Sequence, residues 1–305
     1  MIFYTFFKLL KFYQIKRIKI YNKLYLMMNY SRKWVLITGA NTGIGRACAN
    51  YLANNGFSVF GGVRNEKDFQ DLAKLANIHP LNIDVTIKES IQGAYDKIKN
   101  QNIDLYALIN NAGIARAGPL MDLPIQDLRE QFDVNMFGVH RVTKTFFPLL
   151  NKKIGRIIMI SSDSGFFATP FFGPYCASKF ALEGYSDSLR RELLLCDMKV
   201  ILIQPGRVNT PIWDKGKSLL EREGKSFFMK YAKQLGKEAI EKGKTKGLPA
   251  RDVAKVVHKA LTKRNPKLRY LIAPSTFKYR LIKLLPEKWV DKMVKKEYEK
   301  IEEKL

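Results

Sequence analysis

The feature that most constrains this chain is a junction close to its start. A short apolar run, Trp34-Val35-Leu36-Ile37, passes into Thr38-Gly39-Ala40-Asn41-Thr42-Gly43-Ile44-Gly45, and a helical pattern over Gly45–Asn55 follows. Glycines at these points allow a tight turn and let backbone N–H groups approach a pyrophosphate. The start of the helix adds partial positive charge at the same place. The spacing is G-x-x-x-G-x-G, and a glycine triplet alone is weak evidence, because turns use glycine anyway. Set between a buried strand and a helix, it points to a nucleotide-binding turn.

The rest of the chain repeats the rhythm that this junction begins. Strands are expected at Ser58–Val63, Leu81–Val85, Leu105–Asn110, Arg156–Ser161, Val200–Pro205 and Leu268–Ala273. Helical patterns lie between them, at Ile87–Lys99, Ile125–Leu149 and Tyr175–Leu195. Unalternating Val, Ile and Leu runs are what a sheet buried on both faces shows. Strands that alternate with helices imply parallel order and right-handed crossovers. The expected fold class is therefore α/β, a single doubly wound Rossmann-type domain with about seven parallel strands and helices on both faces. That domain covers residues 31–275. Within it, Pro211–Pro249 breaks the rhythm; it is Lys- and Gly-rich, carries Trp213, Leu219, Leu220, Phe227, Phe228, Met229 and Tyr231, and reads as a lid.

Composition separates the ends from this domain. The chain has 305 residues and a formal net charge of +25. Residues 1–30 hold six basic residues and no acid, and Arg264–Leu305 holds twelve basic and six acidic residues. The first segment reads as a basic amphipathic extension, or as sequence upstream of a true start at Met27 or Met28. Its apolar runs fall short of the roughly 20 residues that a spanning helix needs, and it lacks the order of a secretory signal. The second segment, 276–305, reads as a basic helical tail. Such ends suit peripheral contact with an anionic membrane, or mean only solubility. Three widely spaced cysteines, Cys48, Cys176 and Cys196, exclude a disulfide scaffold and a Cys-based zinc site. A reducing, cytoplasmic location and no metal are expected.

The chemistry-bearing residues lie beyond the first three strands. Tyr175 and Lys179 are four apart in a helical stretch, so both face the same way. A nearby ammonium favours a phenolate, and a phenol so tuned suits general acid/base work on a carbinol or carbonyl. Asn135 stands in mid-helix, where Asn is a poor resident because its amide competes for backbone hydrogen bonds. Asn110-Asn111-Ala112-Gly113 follows the fourth strand, and small residues there allow close approach of a ligand.

Taken in order, Thr38-Gly-x-x-x-Gly-x-Gly45, Asn110-Asn-Ala-Gly113 and Tyr175-x-x-x-Lys179 resemble the short-chain dehydrogenase/reductase family. The likeness covers nearly everything from Lys33 to Ala273. It is closest in texture to the hydroxysteroid and retinol dehydrogenase-like branch, through Tyr175-Cys-Ala-Ser-Lys-Phe-Ala-Leu-Glu-Gly184 and Ser188-Leu-Arg-Arg-Glu-Leu193. The resemblance implies an NAD(P)-dependent oxidoreductase with a catalytic set of Asn135, Ser162, Tyr175 and Lys179. Asn135 would hold a water in a proton relay. Ser162, thirteen residues before Tyr175 and preferred over Ser161 and Ser164, would hydrogen-bond the substrate oxygen. Lys179 would bind the nicotinamide ribose. The cofactor would be held by Thr38, Gly39, Asn41, Thr42, Gly43, Ile44 and Gly45, and by the Asp84-Val85 pair at the adenine. Asn110, Ala112 and Gly113 would line the cleft, leaving Asn111 mostly structural. Pro205, Gly206, Val208 and Thr210 would orient the nicotinamide. The long helices Ile125–Leu149 and Tyr175–Leu195 would pair subunits into a homodimer or homotetramer.

Cofactor choice is read after the second strand. An acidic residue there binds the ribose 2′-hydroxyl of NAD, and an Arg accommodates the 2′-phosphate of NADP. Here Val63 and Arg64 stand in that place, so NADP(H) is favoured and NAD(H) remains possible, with Asn41 where many NADP users carry a basic residue. Four phenylalanines between Ser162 and Tyr175 (Phe166, Phe167, Phe171 and Phe172) are expected to flank the reacting carbon. With the lid aromatics they suggest a lipophilic alcohol or ketone of steroid, retinoid or fatty type. The rival readings are a basic membrane- or nucleic-acid-binding protein on the same scaffold, which would not need the Asn, Ser, Tyr and Lys set, and an epimerase or dehydratase on the same fold. No nucleic-acid partner is expected.

Overall fold

A computed structural model describes residues 33–215, 220–224, 226–274, 281 and 284–303. The segment 1–30, Leu219 of the expected lid and part of the expected tail 276–305 lie outside the described residues.

Seven strands form one parallel sheet: β1 (Lys33–Thr38), β2 (Phe57–Val63), β3 (Ile78–Asn82), β4 (Leu105–Asn110), β5 (Arg156–Ile160), β6 (Lys199–Pro205) and, after two short strands, β9 (Arg269–Ile272). The spatial order is β3-β2-β1-β4-β5-β6-β9. The short strands β7 (Val208–Asn209) and β8 (Leu248–Pro249) pair with each other apart from the sheet. Side chains along a strand point to opposite faces, so each strand feeds two cores. In β1, Val35 and Ile37 join one core while Leu36 joins the other. The first core packs under the helices Gly43–Ala53 and Ala250–Thr262. The second packs under Lys88–Lys99, Val139–Phe146 and Gly173–Glu192. The sheet is thus buried on both sides, which explains the apolar runs without alternation.

Strand order reverses between β1 and β4. In open α/β sheets ligands bind at such a switch point, beyond the carboxyl ends of the strands. The turns after β1, β2, β4, β5 and β6 all open there.

Three elements differ from their expected form. The third strand ends at Asn82 rather than Val85. Asp84 makes a turn, its carboxylate accepting from the Thr86 N–H at 2.9 Å and the Thr86 hydroxyl at 2.6 Å, and that turn lifts Asp84 and Val85 off the sheet. The expected helix Ile125–Leu149 is four pieces: helices Ile125–Phe132 and Val139–Phe146 flank a π-helical turn, Asp133–Gly138, and a 3₁₀ turn ends the run at Leu149. A Cβ at Gly138 would lie 2.8 Å from a Val85 methyl, so this turn presses against the loop after β3. The expected lid, Pro211–Pro249, is largely helical in its described part, with Ile212–Lys215 followed by Phe228–Lys246. Gly243 is what seats that second helix. A Cβ there would fall 2.3 Å from the Trp213 ring, so the indole lies flat against the helix backbone, its Nε1–H donating to the Val208 carbonyl at 2.7 Å.

Candidate active site

One cleft of about 270 Å³ runs across the switch point, and both sets of expected residues meet in it. Its first half is made of backbone. Gly39 and Gly43 have φ of +65° and +55°, conformations that L side chains rarely adopt. Gly45 is fixed by contact instead: a Cβ there would lie 2.1 Å from the Gly39 carbonyl oxygen and 2.4 Å from the Asn111 amide. The helix Gly43–Ala53 starts without a side-chain cap at Thr42 and without an acid in its first turn. Its first N–H groups therefore face the cleft with no protein acceptor of that kind, the arrangement an anionic phosphate satisfies. A glycine cradle that any Cβ would fill, beside an uncapped helix start, fits a dinucleotide pyrophosphate.

The strand ends are laced together beneath this cradle. The Thr38 hydroxyl accepts from the N–H groups of Asn111 and Ala112, each at 3.0 Å, and the Asn111 amide donates to the Thr38 and Gly39 carbonyls. Three expected residues consequently do not line the cleft. Thr38 is buried below it, and Gly45 is spent on the Gly39 approach. Asn110 points into the core, where its amide donates to the Thr143 hydroxyl at 2.9 Å and meets the Met159 sulfur. Asn111, expected to be mostly structural, both pins the turn and lines the cleft. The reversal follows from strand parity: neighbours at a strand end face opposite sides. Gly39, Asn41, Thr42, Gly43 and Ile44 line the cleft, as do Arg64, Asp84, Val85, Ala112 and Gly113. Pro205, Gly206, Val208 and Thr210 line it from the far side. A Cβ at Gly43 would stand 3.2 Å from Thr210, so the two loops close over the cleft together.

Asn41 has a partner that sequence reasoning missed. Its amide donates to the Asp68 carboxylate at 2.8 Å, and Asn65 donates to the same oxygen. Asp68 sits in the first turn of the helix Glu66–Ala73, which Asn65 caps by accepting from the Asp68 N–H. The cue was the N-x-x-D spacing just after Arg64.

The second half is made of side chains. The long helix Gly173–Glu192 presents Tyr175 and Lys179 on one face, as their spacing predicts. The Lys179 ammonium donates to the Ile160 carbonyl at 2.8 Å and stands 5.7 Å from the centre of the Tyr175 ring. Burial pushes the Lys179 pKa down to about 8, against the opposing pull of the Glu183 carboxylate. Burial also pushes the half-buried Tyr175 phenol above its usual value, a hydrogen bond with Ser162 works the other way, and Asp163 and Cys176 add to the rise. The direction is opposite to that expected from Lys179 alone, and its largest cause is desolvation by burial.

Of the serines after β5, Ser161, Ser162 and Ser164 all line the cleft, and Ser162 is the one whose hydrogen bond counters the rise of the Tyr175 phenol. The Ser162 hydroxyl donates to the Asp163 carboxylate at 2.8 Å and accepts from the Ser164 N–H at 3.1 Å.

Asn135 lies in the π-helical turn, a form often found at functional sites. It is buried and does not line the cleft. Its carbonyl accepts from the Ile114 N–H at 2.9 Å; its amide donates to the Ile114 carbonyl and to the Ser178 hydroxyl, both at 3.1 Å. It ties the loop after β4 to the helix bearing Tyr175.

Of the four phenylalanines, only Phe172 lines the cleft, its ring edge-on to Tyr175 at 5.7 Å between centroids. The 3₁₀ turn Asp163–Gly165 carries Phe166 and Phe167 aside, and Phe171, at a φ of +62°, turns to Tyr298 of the C-terminal helix. The apolar wall comes instead from Ile114, Ala115 and Ala117 after β4, and from Ile212, Trp213, Ala239 and Ile240 of the helices Ile212–Lys215 and Phe228–Lys246.

A glycine cradle at a Rossmann switch point, continuous with a Ser-Tyr-Lys group, defines a nicotinamide-dependent oxidoreductase architecture. Residues 33–219 match the family model described as short chain dehydrogenase. The chain is 35% identical over 282 residues to an NADPH-dependent 3-dehydrocapnine reductase of Ornithobacterium rhinotracheale, covering 88% of this chain and 98% of that protein. It is 32% identical to retinol dehydrogenase 16 of Mus musculus, covering 86% and 84% of the two chains. Its fold matches that of a short chain dehydrogenase/reductase from Burkholderia phymatum solved with NAD, at a TM-score of 0.73, 24% identity and coverage of 87% and 96%. The chain belongs to the short-chain dehydrogenase/reductase family, and it is an NAD(P)-dependent oxidoreductase.

Proposed function

We propose that this enzyme reduces a lipophilic ketone, or oxidises the matching alcohol, with Tyr175 as the general acid/base. The observation that carries the proposal is the meeting of Ser162, Tyr175 and Lys179 in the cleft that also holds the glycine cradle. A bound nicotinamide supplies or accepts the hydride. Tyr175 moves the proton at the substrate oxygen, and Ser162 hydrogen-bonds that oxygen as charge develops. Lys179, held by the Ile160 carbonyl, binds the ribose and places positive charge beside the phenol. Asn135 fixes Ile114 and the start of the long helix, so its part in the catalytic set is to hold the two halves in register.

The cleft-lining residues of the glycine turn, with Asp84, Val85, Ala112, Gly113, Pro205, Gly206, Val208 and Thr210, would hold the dinucleotide. NADP(H) is the favoured form. Arg64 lines the cleft after β2 where an NAD-binding acid would stand, and the relative from Ornithobacterium is named NADPH-dependent. The lipophilic substrate class is supported by the apolar wall on the lid side and by the relative named for retinol. On this reading residues 31–275 form the catalytic domain, 211–249 its lid, and the two ends its accessories. Exposed Phe137 and Phe180, on the π-helical turn and the long helix, support pairing of subunits through these helices. Exposed Leu281, Leu284, Trp289 and Met293 support peripheral membrane contact by the tail, which flotation with anionic vesicles tests. Among the described residues no helix is long and apolar enough to cross a membrane.

The test is a panel of steroid, retinoid and long-chain ketones, with consumption of NADPH and NADH followed in parallel. Turnover of at least one lipophilic ketone with NADPH is expected; turnover confined to small polar ketones would overturn the substrate class.

A further inference from the structure

The C-terminal helix Glu287–Glu302 meets the substrate side of the molecule through one ring. Its residues Val290, Val294 and Tyr298 are half-buried and Ile301 is buried, a stripe at helical spacing that faces the protein. Tyr298 stands between two elements. Its ring is 6.1 Å from that of Phe171 in the loop after β5, and 5.7 Å, edge-on, from that of Tyr231 on the helix Phe228–Lys246. The Tyr231 hydroxyl donates to the Glu302 carboxylate and joins the two helices. Both elements go on to the cleft. Phe172, the neighbour of Phe171, lines it edge-on to Tyr175, and the helix Phe228–Lys246 lines it with Gly236, Ala239 and Ile240.

Phe171 needs holding. Its φ of +62° lies in the left-handed region, which a bulky L residue rarely adopts. The other non-glycine residues with positive φ among the described residues are Asn77, Asn102 and Asp197, types whose short polar side chains tolerate that region. Phe171 has no such means, so its conformation persists only where the surroundings impose it. Two contacts impose it here. The Phe171 carbonyl accepts from the Gly118 N–H at 2.8 Å, and the ring packs against Tyr298. If Phe171 relaxed to negative φ, the chain would leave it along a different path, and Phe172 would lose its place beside the phenol.

We infer that Tyr298 is a positioning residue for the substrate pocket: it holds Phe171 in the left-handed conformation that sets Phe172 against Tyr175, which makes the C-terminal helix part of the working site. The inference rests on the reading of this cleft as a ketone site with Tyr175 as its acid. A wall fixed next to the phenol confines the ketone to a geometry from which hydride and proton can both reach it, and small misplacements there are costly in rate. The glycine cradle is built by the turn after β1 and by Asn111, elements apart from this contact. The effect therefore falls on the ketone and not on the dinucleotide.

The experiment is a double-mutant cycle on the full chain between Tyr298→Ala and Phe171→Gly. It is read as kcat/KM for a ketone that the wild type reduces and as the NADPH dissociation constant. Glycine removes the ring and the cost of the left-handed backbone together. Tyr298→Ala is expected to lower kcat/KM by about three- to tenfold, the worth of one aromatic pair, with NADPH affinity unchanged. Tyr298→Phe, which keeps the ring, is expected to match the wild type. In the Phe171→Gly background Tyr298→Ala is expected to add nothing. A full effect of Tyr298→Ala in that background, or an equal loss of NADPH affinity, would overturn the inference. Hydrogen exchange gives a readout without turnover: the Gly118 amide, bonded to the Phe171 carbonyl, is expected to exchange faster in Tyr298→Ala and in Tyr298→Leu, the variant to use should alanine fold poorly. Exchange at Gly118 as slow as in the wild type would also count against it. Ketone reduction that survives in Tyr175→Phe would instead remove Tyr175 as the acid and leave the exchange result standing.

Discussion

The two halves of the cleft are built from different materials. The half formed by the turn after β1 is backbone against backbone, with Gly39, Gly45 and Asn111 in mutual contact and Thr38 lacing the strand ends. The half formed by the turn after β5 and the long helix is side chain against side chain, with Ser162, Tyr175 and Lys179 spread over two elements and braced by Asn135 from a third. The first holds a feature common to every dinucleotide and leaves no room for variation. The second positions chemistry through rotatable groups, so single substitutions there should change rates while leaving the fold and the cofactor in place.

That contrast predicts a graded series. The largest effect belongs to Gly45→Val, whose side chain would run into the Gly39 carbonyl; loss of NADPH binding, with a fall in the thermal midpoint, is expected by fluorescence titration and calorimetry. Retained nanomolar or micromolar binding would break the contrast from the backbone side. Next is Ser162→Ala, for which loss of one donor at the substrate oxygen should lower kcat by about 10²–10³-fold with cofactor affinity unchanged. A matching loss of cofactor affinity would show that the two halves are not separable. Arg64→Ala comes third: the KM for NADPH should rise by about tenfold or more, the cost of one charge-assisted pair, while the KM for NADH hardly moves. Equal changes would remove Arg64 from the reading of the 2′-phosphate.

The last expected effect concerns stability. Burial lowers the Lys179 ammonium from its usual 10.5 to about 8, so the unfolded chain binds that proton more tightly than the folded one. Stability from this group therefore rises with pH between about 8 and 10.5 and is penalised evenly below that window. Lys179→Met should then be more stable than wild type at neutral pH, on the order of 1–3 kcal/mol, with the gain shrinking toward pH 10.5, and should be inactive. A destabilised Lys179→Met would mean that the bond to Ile160 outweighs desolvation.

The backbone half was the more legible in the sequence, because its requirements are local. A run of buried residues ending in Thr38-Gly39, with Gly43 and Gly45 at fixed intervals, is set by turn geometry that neighbours along the chain decide. The same locality made the Tyr175 and Lys179 pairing readable, since helical spacing alone puts them on one face. What escaped is decided by groups far apart in sequence. Strand parity at the end of β4, which turns Asn110 into the core and Asn111 toward the turn after β1, depends on the register with β1 and β5. The π-helical turn at Asn135 depends on Ile114, Ser178 and the close approach of Gly138 to Val85. In Pro211–Pro249 the lysines and glycines break the strand–helix rhythm of the sequence, yet Gly243 is there to receive Trp213. The phenylalanines after Ser162 were read as one wall, but the Asp163–Gly165 turn disperses them. The rise in the Tyr175 pKa reflects burial by the whole cleft, which the nearby cation does not reveal.

The central claim is that one cleft binds the cofactor with its backbone half and does the proton chemistry with Tyr175 of the other half. The most direct measurement pairs the NADPH dissociation constant of Tyr175→Phe with its kcat on a ketone that the wild type reduces. An unchanged dissociation constant and a kcat lower by about 10³-fold or more, within the range acid/base removal causes, is the predicted result. Near-wild-type kcat in Tyr175→Phe, or a kcat loss explained entirely by weakened NADPH binding, would contradict it.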